Sequence, residues 1–210
     1  MTNNFDVMRE YMRLENIPES KNKTGDLFFN VMLIRRGKDH PDLPAANYTF
    51  KSYYIDSIEK FNRVEDEIIK CCDMFGLRAY ISVNVKSKEK FAKYCNMKFS
   101  ENILNNEYKK PWKVLDHTFG KLTSPNGHRW IVDVDDCTFE SEYLHNILNI
   151  VGECDSKFDD IVIMLVKTKS GVHVITHSFN IQQFKTKCAN ANVKIPDIKQ
   201  NHITLLYENI

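Results

Sequence analysis

Three short patterns in this chain carry side chains suited to metal and phosphate chemistry. The first is Arg129-Trp130-Ile131-Val132-Asp133-Val134-Asp135-Asp136, a β-branched run that ends in acid. Side chains of a strand alternate, so Ile131, Asp133 and Asp135 share one face, and Trp130, Val132 and Val134 share the other. Two carboxylates on neighbouring same-face positions stand roughly 6–7 Å apart along the backbone. Brought to about 4 Å at an effective dielectric near 20, they repel by roughly 4 kcal/mol. A proton, a basic side chain or a cation must offset that. Hard oxygen ligands that can clamp phosphate oxygens suit Mg²⁺ or Mn²⁺. The plainer alternative is a strand running into a solvated acidic turn, with Asp136 capping the next helix.

The second pattern is a turn at Lys169-Ser170-Gly171, followed by Val172-His173. Such a turn offers backbone N–H groups and a hydroxyl to phosphate oxygens, and the histidine adds a donor. The third is Pro196-Asp197-Ile198-Lys199-Gln200-Asn201. With Asp197, Asp133 and Asp135 make an acidic triad for two ions. Two ions about 3.5–4 Å apart can activate an attacking hydroxyl and stabilise a leaving pyrophosphate. Taken singly, His173 reads equally as a satisfied strand histidine and Asp197 as a loop acid after Pro196.

These groups need elements to position them. Phe5, Met8, Tyr11, Met12 and Leu14 have the spacing of a short amphipathic helix. Strands are expected at 27–34, 50–55 and 77–85, the last with Arg78, Ser82 and Asn84 on one side. A helix capped by Asp56 or Ser57 runs to Phe75 and ends at Gly76, and Ser87 caps another over 88–104. Residues 105–128 lack periodicity and hold Pro111, Gly120, Pro125 and Gly127, which reads as a connection. Its basic and aromatic mixture, Trp112 included, can grip a nucleic-acid backbone. Beyond it come strand 129–135, helix 139–151, strands 161–166 and 172–177, helix 181–189 and strand 203–207. That β-α-β-β-α-β order is the ferredoxin-like, RRM-like pattern. In it the first and third strands are central neighbours and the last flanks the first. Asp133, Asp135 and His173 are then predicted to meet on one open face, with Asp197 at its rim. The expected class is α+β: an N-terminal α/β lobe (1–105), a connecting loop (106–128) and an RRM-like core (129–210).

Composition sets the outer limits. A net charge of +1, from 29 basic and 28 acidic residues, gives no overall attraction for nucleic acid, so binding would need a local patch. No stretch has the apolar length of a membrane span, and no signal core opens the chain. Cys71, Cys72, Cys95, Cys137, Cys154 and Cys188 form no C-x-x-C pair and suit reduced thiols in a cytoplasmic protein.

The order hydrophobic-Asp-x-Asp, Ser-Gly-x-His, then Asp-x-x-x-Asn resembles the three motifs of the archaeo-eukaryotic primase superfamily. The matching stretches are 131–135, 170–173 and 196–201. The resemblance implies an RRM-like catalytic core behind an N-terminal α/β unit, and template-dependent strand extension from nucleoside triphosphates. It implies that Asp133, Asp135 and Asp197 hold Mg²⁺ or Mn²⁺ and that Ser170 and His173 contact the triphosphate. Lys169, Gly171 and Asn201 complete the expected nucleotide-binding set. The single glycine beside the histidine and the lack of a zinc-binding insert depart from the family pattern. The size is similar to that of small phage-encoded members, which would work in a host cytoplasm on a DNA template, beside a replication partner such as a helicase.

In the N-terminal lobe, one of two basic sets, Arg35, Arg36 and Lys38 or Arg78, Asn84 and Lys86, is expected to contact template backbone or triphosphate. Other readings fit less well. An RRM-type RNA binder needs exposed aromatics where this face carries Asp133, Asp135 and His173. A two-histidine phosphoesterase needs two H-x-[ST] motifs, and only His202-Ile203-Thr204 fits. A metal-dependent nuclease, or an inactive relative that binds nucleic acid or protein, would keep the same acids.

Overall fold

The computed structural model describes residues 1–20, 25–40, 47–108 and 112–209. Among them the chain is α+β, with two antiparallel sheets and six α-helices. A short strand β1 (Thr2–Asn3) leads into α1 (Phe5–Leu14), which buries Phe5, Met8, Tyr11 and Met12 at the expected helical spacing. β2 (Leu27–Arg35) and β3 (Tyr48–Ile55) pair, and α2 (Ile58–Phe75) follows. The Ser57 side chain accepts the Lys60 N–H to start α2, and Gly76 at φ 59° ends it in the left-handed conformation that suits glycine.

β4 (Arg78–Ser82) is shorter than the expected 77–85. The chain then makes a two-residue strand, β5 (Lys86–Ser87), and enters α3 (Lys88–Leu104), where Ser87 accepts the Lys90 N–H. The region expected as an irregular connection contains a helix, α4 (Trp112–Lys121). Gly120 looks like a breaker, but a Cβ there would meet nothing within 4 Å; Pro111 lies outside the described residues. Phe119 gives α4 an anchor by packing edge-on against Phe28 and Phe91.

The second sheet comprises β6 (Arg129–Asp135), β7 (Val162–Lys167), β8 (Gly171–His177) and β9 (Asp197–Gln200), in the order β7-β8-β6-β9. Helices α5 (Glu142–Gly152) and α6 (Ile181–Asn190) are capped by Ser141 and Asn180. They share a core with one face of the sheet: Val132, Val134, Val172 and Val174 cluster with Leu144, Ile147 and Phe184. The other face sends Ile131, Val166 and Ile175 into the core of the first sheet, beside Phe29, Val31, Leu33, Ile81 and Leu206. Burying each such side chain contributes about 1.5–3 kcal/mol.

The expected place of the final strand is overturned as well. The final strand, β10 (Ile203–Glu208), does not flank β6 but crosses to the first sheet, whose order is β1-β10-β4-β2-β3 with β5 on β2. The place beside β6 goes to β9, a segment read from sequence as loop. Burial explains the exchange. Thr204, Leu205, Leu206, Tyr207 and Glu208 are all buried, as suits an interior strand, whereas both ends of β9 are exposed, as suits an edge. Asn201 turns the chain between them at φ 51°, a conformation asparagine tolerates.

Candidate active site

Register assembles the acidic face. In the β6 ladders Asp133 lies opposite His173 on β8 and opposite Asp197 on β9. Directly opposed residues of an antiparallel pair point to the same side, so all three share one face with Ile131 and Asp135. Lys199, opposite Ile131, joins them.

Both oxygens of Asp133 are engaged. His173 Nε2 lies 3.1 Å from Oδ1, and the Lys199 ammonium donates to Oδ2. His173 Nδ1 is 2.8 Å from the Thr204 hydroxyl, which is buried. A carboxylate only accepts, so in the neutral ring the proton sits on Nε2 and the Thr204 hydroxyl donates to Nδ1. Partial burial works to raise the Asp133 pKa. The hydrogen bonds from His173 and Lys199 outweigh it and hold the carboxyl well below the usual carboxylate range. Asp133 is therefore ionised at neutral pH.

The hairpin before His173 needs its glycine for space. A Cβ on Gly171 would lie 2.0 Å from the Val134 carbonyl oxygen and 2.9 Å from the Asp135 Cα. That close approach lets the Asp136 N–H reach the Ser170 carbonyl at 2.7 Å, while the Thr168 N–H closes the hairpin itself on the Gly171 carbonyl at 2.8 Å. Lys169 and Ser170 are thereby presented, exposed, beside the exposed Asp135.

These groups line one wall of a cleft of about 550 Å³ between the two sheets. Asp133, Asp135, Lys169, Ser170, His173 and Lys199 come from the second sheet and its hairpin. Arg36, Lys38, Asp39, Arg78 and Tyr80 come from the first sheet and the 3-10 turn Gly37–Asp39. Cationic Arg36, Lys38, Arg78, Lys169 and Lys199 outnumber anionic Asp39, Asp133 and Asp135. Arg78 is paired with Asp39 and Glu208 and Lys199 with Asp133, so the positive side of the cleft is carried by Arg36, Lys38 and Lys169, as a polyanionic ligand would use.

The remaining expected residues are placed differently. Asp197 is exposed and does not line the cleft, although the ladder sets it opposite Asp133. Among the described residues, no three His, Cys, Asp or Glu side chains are grouped as a ready-made metal site. The donor set still suits a hard cation, since Asp133, Asp135 and Asp197 are carboxylates on adjoining positions of one face. Arg35 sends its guanidinium over the Tyr48 ring at 5.9 Å and lies outside the cleft.

Arg78 reaches the cleft but is buried between two carboxylates, 2.8 Å from Asp39 and 3.2 Å from Glu208. Asn84 is buried too. It donates to the Arg129 carbonyl at 2.9 Å and accepts the Arg129 N–H at 2.8 Å, tying the first lobe to β6. Lys86 is buried, with its ammonium on the Leu122 carbonyl and 2.9 Å from the Asn201 side-chain oxygen. Burial lowers its pKa to about 8. Asn201, expected at the nucleotide, donates instead to the Gly120 carbonyl at 2.8 Å. The polar side chains expected on the third strand to face a template thus bond within the protein, to Asp39, Glu208, Arg129 and Leu122. The side chain of Trp112 lies outside the described residues.

Sequence reading missed Lys199 and Thr204. A signal for Lys199 existed: Asp197 and Lys199 are two residues apart, so any strand there puts them on one face. No family model matches this chain, and neither the curated proteins nor the solved structures offer a significant match.

Proposed function

We propose that this chain is a nucleotidyltransferase of primase-polymerase type. It would extend a nucleic-acid strand on a DNA template from nucleoside triphosphates, in the cytoplasm and beside a replication partner such as a helicase. In this reading the unit β6-α5-β7-β8-α6-β9 is the RRM-like, ferredoxin-like core, with β9 as its fourth strand. The observation that carries the proposal is the pairing of Asp133 and Asp135 on one cleft wall with Arg36 and Lys38 on the other and Lys169 at the rim. Acid on one side and base on the other is what a cation–triphosphate complex requires.

Each group then has a task. Asp133 and Asp135, with Asp197 within cross-strand reach, hold Mg²⁺ or Mn²⁺. When bound, the ions polarise the reacting phosphoryl group and favour the attacking hydroxyl and the leaving pyrophosphate. His173, braced by Thr204, fixes the orientation of the Asp133 carboxylate. Arg36, Lys38 and Lys169 attract the phosphate oxygens, and the Ser170 hydroxyl adds a donor at the turn.

Primer extension with labelled nucleotides and Mn²⁺ tests this. Incorporation is expected, with a loss on the order of 10²-fold or more in the Asp133→Ala/Asp135→Ala double variant. No incorporation on any template, or full activity in that variant, refutes it. A second reading, a catalytically inactive binder of nucleic acid, draws on the engagement of both Asp133 oxygens by internal donors. It predicts affinity that survives a chelator, with no turnover. A nuclease would instead degrade labelled strands without triphosphates.

A further inference from the structure

The proposed function leaves a conflict at its central carboxylate. Asp133 must accept a divalent ion, yet Lys199 and His173 between them take both of its oxygens. The two donors are not equally held. His173 is buried and braced on its far side by Thr204 at 2.8 Å, so it cannot swing away without breaking that bond. Lys199 is half-buried on an edge strand, with about a third of its side chain exposed, and Asp133 is its one ion-pair partner among the described residues. Its ammonium lines the same cleft as Lys169, Arg36 and Lys38.

A divalent cation on Asp133 Oδ2 and an ammonium on the same atom would repel strongly in a partly desolvated cleft. Lysine is a point charge on a flexible four-carbon stem, so its release requires only rotamer changes. The freed ammonium stays in the cleft and adds a positive charge where phosphate oxygens are expected.

We propose that Lys199 is an exchangeable cation. It occupies Asp133 while the metal is absent, and transfers to a phosphate oxygen of the incoming polyphosphate when a divalent ion takes its place. This rests on the nucleotidyltransferase reading and adds to it a phosphate-binding residue and a coupling. Metal binding frees a ligand for the triphosphate, and the triphosphate holds Lys199 away from the metal position. Each ligand therefore raises the affinity for the other, as linkage demands.

The signature is a pair of opposite effects. Full-length wild type, Lys199→Met and Lys199→Gln would be titrated with Mn²⁺ alone, with free ion followed by electron paramagnetic resonance. The Mn²⁺-loaded proteins would then be titrated with a non-hydrolysable ATP analogue. Thermal melting establishes that each is folded, and Asp133→Asn reports whether Mn²⁺ binds through Asp133. Both Lys199 variants are expected to bind Mn²⁺ at least tenfold more tightly than wild type, and the analogue at least fivefold more weakly. A residue with only a structural role would not move the two affinities in opposite directions. Mn²⁺ affinity that is unchanged or reduced in both variants overturns the exchange, as does undiminished analogue binding. If wild type still binds Mn²⁺ in an Asp133-dependent way, the nucleotidyltransferase reading survives that result. Absence of Mn²⁺ binding in all the proteins overturns both.

Discussion

Replacing Gly171 by alanine probes the most confined contact in the candidate site. The added Cβ would stand 2.0 Å from the Val134 carbonyl oxygen, 2.9 Å from the Asp135 Cα and 3.0 Å from the Val134 carbonyl carbon. All three are backbone atoms of the neighbouring strand, so no side chain can rotate to make room. Relief requires moving β8 away from the end of β6 by about 1 Å or more, judged against ordinary non-bonded separations of roughly 3.5–4 Å. Overpacking of this kind costs about 1–3 kcal/mol. Separation also loosens the bond from the Asp136 N–H to Ser170, worth about 1 kcal/mol net. The expected destabilisation is therefore about 2–4 kcal/mol, read from urea denaturation. Primer extension should also fall, because Asp135, Lys169 and Ser170 lose their alignment. Gly152→Ala is the control. It sits in α5 with nothing within 4 Å of its added Cβ, and should be neutral or stabilising by about 0.5–1 kcal/mol. A Gly171→Ala protein within about 1 kcal/mol of wild type would refute the steric argument.

Two further predictions concern the joints around the site. Arg129 Nε donates to Glu15 at 2.6 Å, and both residues are buried, so Arg129→Met leaves a buried carboxylate without its cation, held by the Asn126 amide, and should cost about 3–5 kcal/mol. Adding Glu15→Gln to that variant should recover part of the loss, and a double-mutant cycle showing simple additivity counts against the pair. Lys86 gives a pH test. Its folded pKa of about 8 lies below the ordinary lysine value of 10.5, so between those pH values the unfolded chain holds a proton that the folded chain has released. Unfolding should become harder as pH rises through that window in wild type relative to Lys86→Met. Denaturation at several pH values between 7 and 10.5 checks the sign, and parallel profiles for the two proteins would disprove it.

Much of the local structure follows from side-chain chemistry alone. Ser57, Ser87 and Asn180 cap their helices, Gly76 stops α2, and the spacing of Phe5, Met8, Tyr11 and Met12 makes α1. The β-branched run at 129–135 forms the expected strand, with Ile131, Asp133 and Asp135 on one face. These are outcomes of two periodicities and of turn and cap preferences, which act over a few residues. His173 reaches the same face only because β8 pairs with β6, Gly171 opposite Asp135 and His173 opposite Asp133, a pairing of distant segments that the β7–β8 turn does not set.

The tertiary structure decided what lies against those faces. Arg78, Asn84 and Lys86 form a polar stripe that is legible in the sequence, but only packing shows the stripe covered, with Glu208, Arg129 and Leu122 as partners from 36 to 130 residues away. Leu205, Leu206 and Tyr207 announce a strand without saying which sheet it completes; burial on both sides sends it to the first, and the polar segment 197–200 takes the edge beside Asp133. Lys199 reaches the central carboxylate through that exchange. A strand's alternation is a property of its own backbone, whereas its neighbour is chosen by competition for buried area among distant segments, and that competition is settled only in the assembled fold.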